Sequence, residues 1–501
     1  MHTSHDAAAI SDLALRFMEA FDIPGLAVAV VSPQGWTLAR GHGVRKAGEP
    51  AAVGANTVFA IGSTSKAFLS ACLAILVDEG RITWDDPVVR HLPKFAMSDP
   101  VVTQMMTIRD LLVHRSGLPP GAGDLMQFPP TDHTPADVLK ALRHFNLSRG
   151  FRTGYAYDNA LYLVAGMLLE RVSGADWNRF VTERILTPLA MSDAASHPSL
   201  IRTDDRAARH ARLGPPTIGM GPLEAIEALE SPLIGPAGGI SASAADLVPW
   251  MQVQLARGRT NDGARLWSES RADEMWTPHT IVSSGPGPSA EAPQRSVMQG
   301  YALGWGVSDY RSRRMLSHGG SLAGQSSRIT LLPEQGIGLA ILSNSGDTET
   351  VSGLRYALLD HLLGVSGFDW LGATQTRIER IHAQVHALGN LDASPPAGTP
   401  TLALEAYAGR YRDPWYGDLL LEMKDGVLHA DFTRTPAFKS VLEPFGPDAF
   451  RTRFARGAGE DAVLSFRIAD GRVAALTLRA LSPIADFSFD FHDLAFAPVR
   501  E

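Results

Sequence analysis

The chain has 501 residues, 45% of them hydrophobic and 20% charged, which describes an ordinary globular protein long enough for two or three domains. Its net charge of −8 argues against a polyanionic partner, so we expect no nucleic acid, and its single cysteine, Cys72, excludes an intrachain disulfide. No signal-peptide pattern and no membrane span occur in the sequence. We therefore expect a cytoplasmic protein, or a periplasmic or secreted one if the chain is a processed form.

The first predicted elements are a helix and a β-hairpin. Residues 7–22 carry apolar side chains at helical spacing, and Pro24-Gly25 ends that pattern. Two short apolar runs, 26–31 and 36–41, are joined by Ser-Pro-Gln-Gly and predict a pair of adjacent strands.

In the stretch 59–80 a short apolar run stops at Gly62, and the residues that follow predict a helix that is apolar on nearly every side and ends at Gly80. Such a helix is typical of a large core. Ser63 lies at its N-terminus, where free N–H groups and the helix dipole favour negative charge. Lys66 projects from the same face, so a hydroxyl and an amine lie together where an alkoxide can form. The alternative for Ser63 is a simple helix cap, but a lysine buried in an apolar helix has to be paired or used.

A mostly helical region follows, and strand patterns then return before two more helices. The clearest helices are predicted at 136–145, 159–173, 176–186, 351–363 and 371–388. The strands are predicted at 301–308, 326–333 and 337–343. Strands at both ends of the region with helices between them predict an α+β fold, in which one antiparallel sheet is flanked by helices and a helical cluster.

The sequence changes character near residue 390. The stretch 390–401 is rich in proline, alanine and glycine and predicts a linker. Beyond it, short strand-like segments alternate with Asp-Gly turns, which is typical of a small antiparallel β-barrel. We therefore expect one domain at 1–389, a linker at 390–401 and a β-barrel domain at 402–501.

Two further polar patterns lie where side chains could reach a cleft. Tyr157-Asp158-Asn159 precedes a predicted helix, and its plain alternative is a core tyrosine beside an Asn cap. His318-Gly319-Gly320-Ser321 precedes a predicted strand, and its glycines would let a substrate approach the backbone closely. The plain alternative for the second pattern is a glycine turn with an incidental histidine.

In this order, Ser63-x-x-Lys66, Tyr157-x-Asn159 and His318-x-Gly320 resemble the three motifs of the serine hydrolases of the β-lactamase and penicillin-binding-protein superfamily. The similarity is to the branch that contains class C β-lactamases, DD-peptidases, D-aminopeptidases and family VIII esterases. It covers roughly residues 8–365. The region from about 402 resembles the lipocalin-like β domain that some peptidases of this superfamily carry.

The resemblance implies a role for each residue of the three motifs. Ser63 would be the nucleophile that forms an acyl-enzyme, and Lys66 and Tyr157 would share its proton. Asn159 would orient Lys66 and bind the substrate amide. A substrate would lie along the strand that carries His318, Gly319 and Gly320, and the backbone N–H groups of Ser63 and Ser321 would form the oxyanion hole. All of these residues precede the linker, so we expect the chemistry to be complete without residues 402–501.

The expected function is hydrolysis of an amide bond in a small peptide or peptide-like substrate, without metal or cofactor. Alternatives are a carboxylesterase on short acyl esters, a weak β-lactamase, and, in another class, a non-catalytic penicillin-binding-type protein. His318 stands where β-lactamases usually have a lysine, which disfavours a dedicated antibiotic-hydrolysing enzyme. The expected partner is a small peptide or ester substrate, and the appended β domain also allows a homo-oligomer.

Overall fold

A computed structural model describes residues 2–214, 217–227, 231–284, 293–388 and 398–500. Its helices are α1 (His2–Ala20), α2 (Ser65–Asp78), α3 (Val88–His91), α4 (Pro100–Met105), α5 (Ile108–Leu112), α6 (Pro135–Ala141), α7 (Ala160–Ser173), α8 (Trp177–Val181), α9 (Gly235–Gly238), α10 (Ala244–Leu255), α11 (Glu269–Trp276), α12 (Thr348–Leu362) and α13 (Trp370–Ala387). The strands of its N-terminal part are β1 (Gly25–Val31), β2 (Thr37–Gly43), β3 (Phe59–Ala60), β4 (Arg209–Arg212), β5 (Leu223–Ile226), β6 (Ser241–Ala242), β7 (Thr280–Ser284), β8 (Met298–Tyr301), β9 (Gly306–Tyr310), β10 (Arg313–Leu322), β11 (Gln325–Leu332) and β12 (Ile337–Ser343).

The main sheet combines strands from both ends of this N-terminal part. Within the described residues its strand order is β2-β1-β12-β11-β10-β9-β8-β7, and the neighbouring pairs are antiparallel. Leu26 pairs with Ser343, so the first strand of the chain lies beside β12 in the interior of the sheet. The helices between residues 44 and 279 are thus inserted between two halves of one sheet.

Helices cover both faces of this sheet, and the residues of the inner strand β1 are accordingly apolar along its length. Ala27 and Ala29 face the core that contains α2 and α10, whereas Val28 and Val30 face the core formed by α1, α12 and α13. A strand buried on both faces shows a continuous apolar run in place of an alternating one. On the α2 side, Phe68 stacks on the ring of Trp250 of α10, with 3.7 Å between the ring centroids.

The C-terminal part is an antiparallel barrel that is nearly closed. Its described strands are β13 (Gly409–Asp413), β14 (Gly417–Lys424), β15 (Val427–Phe432), β16 (Lys439–Val441), β17 (Glu443–Pro444), β18 (Ala449–Arg451), β19 (Ala462–Ala469), β20 (Arg472–Ala480) and β21 (Ala495–Pro498). They follow the order β16-β15-β14-β13-β21-β20-β19-β18-β17. Alternating side chains such as Leu419, Leu421, Leu464 and Leu476 point inward and fill the barrel.

The predicted fold class, an α+β domain with an antiparallel sheet followed by a small antiparallel barrel, is confirmed. One predicted strand, 301–308, is wrong as a single element: it is divided into β8 and β9. Between them, Gly304 has a left-handed backbone (φ +75°), and a Cβ there would come within 2.8 Å of the Lys66 carbonyl oxygen. The chain turns at this glycine because it passes against α2, a contact that the apolar pattern of the sequence does not contain.

The boundary between the two parts stays a prediction. Residues 389–397, which include most of the predicted linker at 390–401, lie outside the described residues. Across the part of the chain that the structure describes, no helix has both the length and the apolar character that crossing a bilayer would require.

Candidate active site

The structure places Ser63 at the start of a buried helix. A single helical turn, Gly62–Thr64, leads directly into α2, and Ser63 is half-buried at this junction. Gly62 has a left-handed backbone (φ +53°), and a Cβ at this position would lie 2.9 Å from the backbone nitrogen of Ser321. The turn that carries Ser63 therefore packs directly against the backbone of β10.

Lys66 is fully buried and has three hydrogen-bond partners. Its Nζ lies 2.7 Å from Asn159 Oδ1, 2.9 Å from the Ala237 carbonyl oxygen and 3.0 Å from Ser63 Oγ. Burial lowers the pKa of Lys66 to about 7, although nearby Asp124 and Asp158 act in the opposite direction. Asn159 Oδ1 and the Ala237 carbonyl can only accept. When the amine is neutral, its two N–H groups can donate to these oxygens, which leaves its lone pair directed toward the Ser63 hydroxyl.

Tyr157 and Asn159 lie in the segment that leads into α7. The Tyr157 ring centroid is 4.8 Å from Lys66 Nζ, and its phenol hydrogen-bonds the Ser63 hydroxyl. Burial raises the pKa of Tyr157 well above its ordinary value, and the Ser63 hydrogen bond opposes this rise. Asn159 Nδ2 donates to Asp124 Oδ2 at 2.9 Å, which fixes the direction of the amide and points its oxygen at Lys66.

The strand β10 carries His318, Gly319, Gly320 and Ser321. His318 is buried, and its Nδ1–H donates to the Gly319 carbonyl at 2.7 Å. Its Nε2 therefore accepts from the Tyr301 hydroxyl at 2.8 Å. Burial lowers the pKa of His318 to about 3, with Lys66 adding to this effect, so the ring is neutral at physiological pH.

Gly320 lies where no side chain fits. A Cβ there would lie 1.9 Å from the Ile61 carbonyl oxygen and 2.5 Å from Ser327 Oγ. Gly319 faces the other side of the sheet, where a Cβ would meet the end of the Arg328 guanidinium at 2.8 Å. The absence of a side chain at Gly320 lets the backbone of β10 approach the Ser63 turn, which brings the Ser321 amide next to the nucleophile.

We expect Gly320→Ala to destabilise the fold by about 1–3 kcal/mol, the usual range for an overpacked core. The added methyl would push β10 away from the Ser63 turn, so activity should fall as well. Thermal unfolding and turnover of a short ester measure the two effects. Gly319→Ala is the matched control, because the flexible Arg328 side chain can move aside. Equal stability of the two variants would contradict the close approach at Gly320.

Several residues around the site were not singled out from the sequence. His114 lies in the segment 107–119, for which the sequence indicates a structural role alone. In the structure its ring centroid is 4.2 Å from that of Tyr157 and 4.5 Å from that of Tyr301. Asp124, fully buried, holds Asn159. The sequence offers one signal for Asp124, a lone carboxylate that follows two glycines and precedes an apolar run, whereas no pattern in it assigns His114 or Tyr301 a role in the site.

The barrel also reaches this region. Ser488 Oγ donates to Asp124 Oδ2 at 2.8 Å, and the Phe487 ring meets that of Tyr157 edge-on with 5.7 Å between centroids. The sequence gives no sign of this contact, because more than 300 residues separate the two segments (|i−j| is 364 for Ser488 and Asp124).

Comparison with known proteins shows which protein family and which relatives this chain is similar to. The family model Beta-lactamase matches residues 10–363, and a domain of unknown function (DUF3471) matches residues 393–498. The Unguisins hydrolase ungD of Aspergillus violaceofuscus is 31% identical over 453 residues, which cover 84% of this chain and 77% of that protein. Penicillin-binding protein 4 of Amycolatopsis lactamdurans is 28% identical over 75% of this chain and 93% of its own length.

Among solved structures, the octameric penicillin-binding protein homologue from Pyrococcus abyssi has a similar fold. It aligns with a TM-score of 0.62 at 19% identity, over 98% of this chain and 99% of that one. The alignment extends through the barrel, so the arrangement of sheet, helices and barrel occurs as a whole in that structure.

Proposed function

Because the chain belongs to the β-lactamase family of hydrolases, we propose that it is a serine hydrolase that cleaves an amide bond in small peptides or peptide-like substrates through an acyl-enzyme on Ser63. The observation that carries the proposal is the buried Lys66 amine, 3.0 Å from the Ser63 hydroxyl and with a pKa of about 7. A buried lysine in this state can take a proton from the serine near neutral pH.

In the proposed reaction, Ser63 Oγ attacks the substrate carbonyl carbon while its proton passes to Lys66. The backbone N–H groups of Ser63 and Ser321 stabilise the negative charge on the carbonyl oxygen. Tyr157 gives its phenolic proton to the leaving amine and regains one from Lys66, and the bond between the carbonyl carbon and the amine breaks. Water then attacks the acyl-enzyme, releases the acid and restores the Ser63 hydroxyl.

Asn159 and the β10 strand have supporting roles in this proposal. Asn159 keeps the Lys66 lone pair directed at Ser63 and leaves its amide near the path of the substrate. The substrate lies along His318, Gly319 and Gly320, on the strand that Gly320 allows to pack closely against the Ser63 turn.

A carboxylesterase acting on short acyl esters is the second candidate, and the neutral His318 favours it. The β10 position that faces the site carries no charge, because burial holds the pKa of His318 at about 3. A charged residue there would hold a substrate carboxylate, which esters of short acids do not need.

A hydrolysis screen against amide, ester, D-amino-acid and β-lactam substrates tests the proposal. Turnover of amides in preference to esters supports the amidase, whereas turnover of esters alone assigns the carboxylesterase. Covalent capture of a β-lactam with no turnover of any class would show a non-catalytic binding protein and contradict both candidates.

The pKa of Lys66 predicts how the rate depends on pH. Its pKa is lowered to about 7, so the amine is neutral and able to accept a proton only above that pH. We expect kcat/KM to fall as pH drops below about 7, because protonated Lys66 cannot accept the Ser63 proton. Measuring kcat/KM for a neutral ester at pH values above and below neutrality tests this fall. A rate that stays constant from well above to well below neutrality would contradict Lys66 as the base.

We propose that residues 1–389 form the hydrolase domain and 402–501 the barrel domain, with 390–401 as their linker. We also propose a homo-oligomer, which the octameric Pyrococcus abyssi homologue supports. Light scattering on the purified chain tests the oligomer, and a monomer at all concentrations would contradict it.

A further inference from the structure

The barrel supplies a short segment that lies on one loop of the hydrolase part. We call residues 487–490 the barrel segment and residues 121–125 the Asp124 loop. The Phe487 carbonyl oxygen lies on Gly121, where a Cβ would come within 2.4 Å of it. Asp490 accepts hydrogen bonds from the backbone N–H groups of Gly123 at 2.7 Å and Leu125 at 3.0 Å. The barrel segment therefore contacts the Asp124 loop at two places, through the backbone of Phe487 and through the side chain of Asp490.

Between these two anchors, Ser488 contacts the side chain of Asp124. Asp124 Oδ2 accepts from Ser488 Oγ at 2.8 Å and from Asn159 Nδ2 at 2.9 Å. Its other oxygen, Oδ1, is buried without a hydrogen-bond partner among the described residues. The hydrogen bonds that hold this carboxylate thus come from Asn159 and from Ser488, one from each domain.

Asn159 continues the connection to the nucleophile. Its amide nitrogen is held by Asp124, so its oxygen is directed at Lys66 Nζ, 2.7 Å away. Lys66 Nζ is in turn 3.0 Å from Ser63 Oγ. A continuous chain of hydrogen bonds therefore runs from Ser488 of the barrel through Asp124, Asn159 and Lys66 to the Ser63 hydroxyl.

We propose that Ser488 is a positioning residue for the acylation of Ser63, because its hydroxyl fixes Asp124 and, through Asn159, the direction of the Lys66 lone pair. This inference rests on the proposed function. It assigns the barrel a part in the reaction that the motifs, all of which precede residue 390, do not contain. Catalytic groups must be held within fractions of an ångström of the productive geometry, so loss of one support lowers the rate without removing any reacting group.

The charged groups around Asp124 predict how loss of the Ser488 hydroxyl changes the pH dependence of the reaction rate. Lys66 on α2, Asp158 before α7 and Asp490 of the barrel face Asp124, as does the phenol of Tyr157. Burial raises the pKa of Asp124 to about 7, whereas the hydrogen bonds from Ser488 and Asn159 lower it. Without the Ser488 hydroxyl the pKa of Asp124 rises further and its negative charge near neutrality decreases. That charge raises the pKa of Lys66, so the pKa of Lys66 falls.

The test is the rate of covalent modification of Ser63 by a serine-directed phosphonate, measured against pH in the full chain. We expect Ser488→Ala to lower the maximal rate of modification on the order of 10-fold. The pH below which the rate falls should also move to a lower value. Ser488→Thr keeps a hydroxyl and should restore both values. The matched control is Ser482→Ala, because Ser482 is another barrel serine that contacts the hydrolase part, through Thr217 at 3.1 Å, and lies outside this chain of hydrogen bonds.

Each outcome decides the assignment. If Ser488→Ala is modified at the wild-type rate with the wild-type pH dependence, Ser488 is not a positioning residue. A slower rate with an unchanged pH dependence and a lower melting temperature would show a structural role alone, and it also overturns the assignment. Ser488→Thr behaving like Ser488→Ala also overturns it. If the wild-type chain itself is never modified at Ser63, the proposed function fails and the inference fails with it, a result distinct from the others.

Discussion

Ser63→Ala is expected to lower kcat by about 10⁴-fold or more and to abolish covalent modification by a serine-directed phosphonate or a slowly released β-lactam. In the proposed reaction this side chain supplies the atom that bonds to the substrate, whereas the neighbouring Lys66 and Tyr157 only transfer protons. Intact-mass spectrometry measures the adduct, and circular dichroism establishes that the variant remains folded.

A second serine of the same helix provides the control. Ser70 is buried in α2, about two turns beyond Ser63, and its hydroxyl donates to the Lys66 carbonyl at 3.1 Å, away from the site. Ser70→Ala should therefore keep the mass adduct. An adduct on any other serine, or undiminished turnover by Ser63→Ala, would rule out Ser63 as the nucleophile.

Lys66→Ala and Tyr157→Phe should each lower kcat by at least about 10²-fold, the scale of general acid–base catalysis. Their combination should cost far less than the product of the two effects, because both groups act on the same proton. Steady-state kinetics of the two single variants and the double variant measure this coupling directly.

Tyr162→Phe is the control for the tyrosine. Its ring is also close to Lys66, 5.1 Å from Nζ, but its hydroxyl donates to the Leu112 carbonyl at 2.6 Å. We expect this variant to keep most of the activity. If Tyr157→Phe were as active as Tyr162→Phe, then Tyr157 would be a packing residue and the proton would need another route to the leaving group.

Much of the fold follows from local patterns in the sequence. The helix that carries Ser63 and Lys66 is predictable because its apolar residues, its terminal glycine and the three-residue spacing are all local features. The strands β11 and β12 are predictable for the same reason. The break between β8 and β9 was not, since it depends on how closely Gly304 passes α2, and only the folded chain brings those two together.

The candidate site shows the same division. The motif residues could be named from the sequence because each motif is compact. By contrast, Asp124, His114 and Ser488 reach the site through contacts with residues far away in the sequence, and no periodic pattern in the sequence predicts such contacts. The hydrogen bond from Ser488 to Asp124 spans 364 residues, for example. The partners of a buried carboxylate can be identified only when the strands and loops that deliver them have been placed.

The position of β1 inside the main sheet has a consequence for how the chain folds. Gly25 donates its N–H to the side chain of Asn344 across 319 residues, and β1 pairs with β12 along its whole length. An isolated hairpin such as β1–β2 is marginally stable in water. The other edge of β1 can pair with β12 only after β12 has been synthesised. Until then the apolar edge of β1 stays open to other chains. We therefore expect slow folding and a demand for chaperones during synthesis, because pairing strands this distant requires the closure of a very long loop.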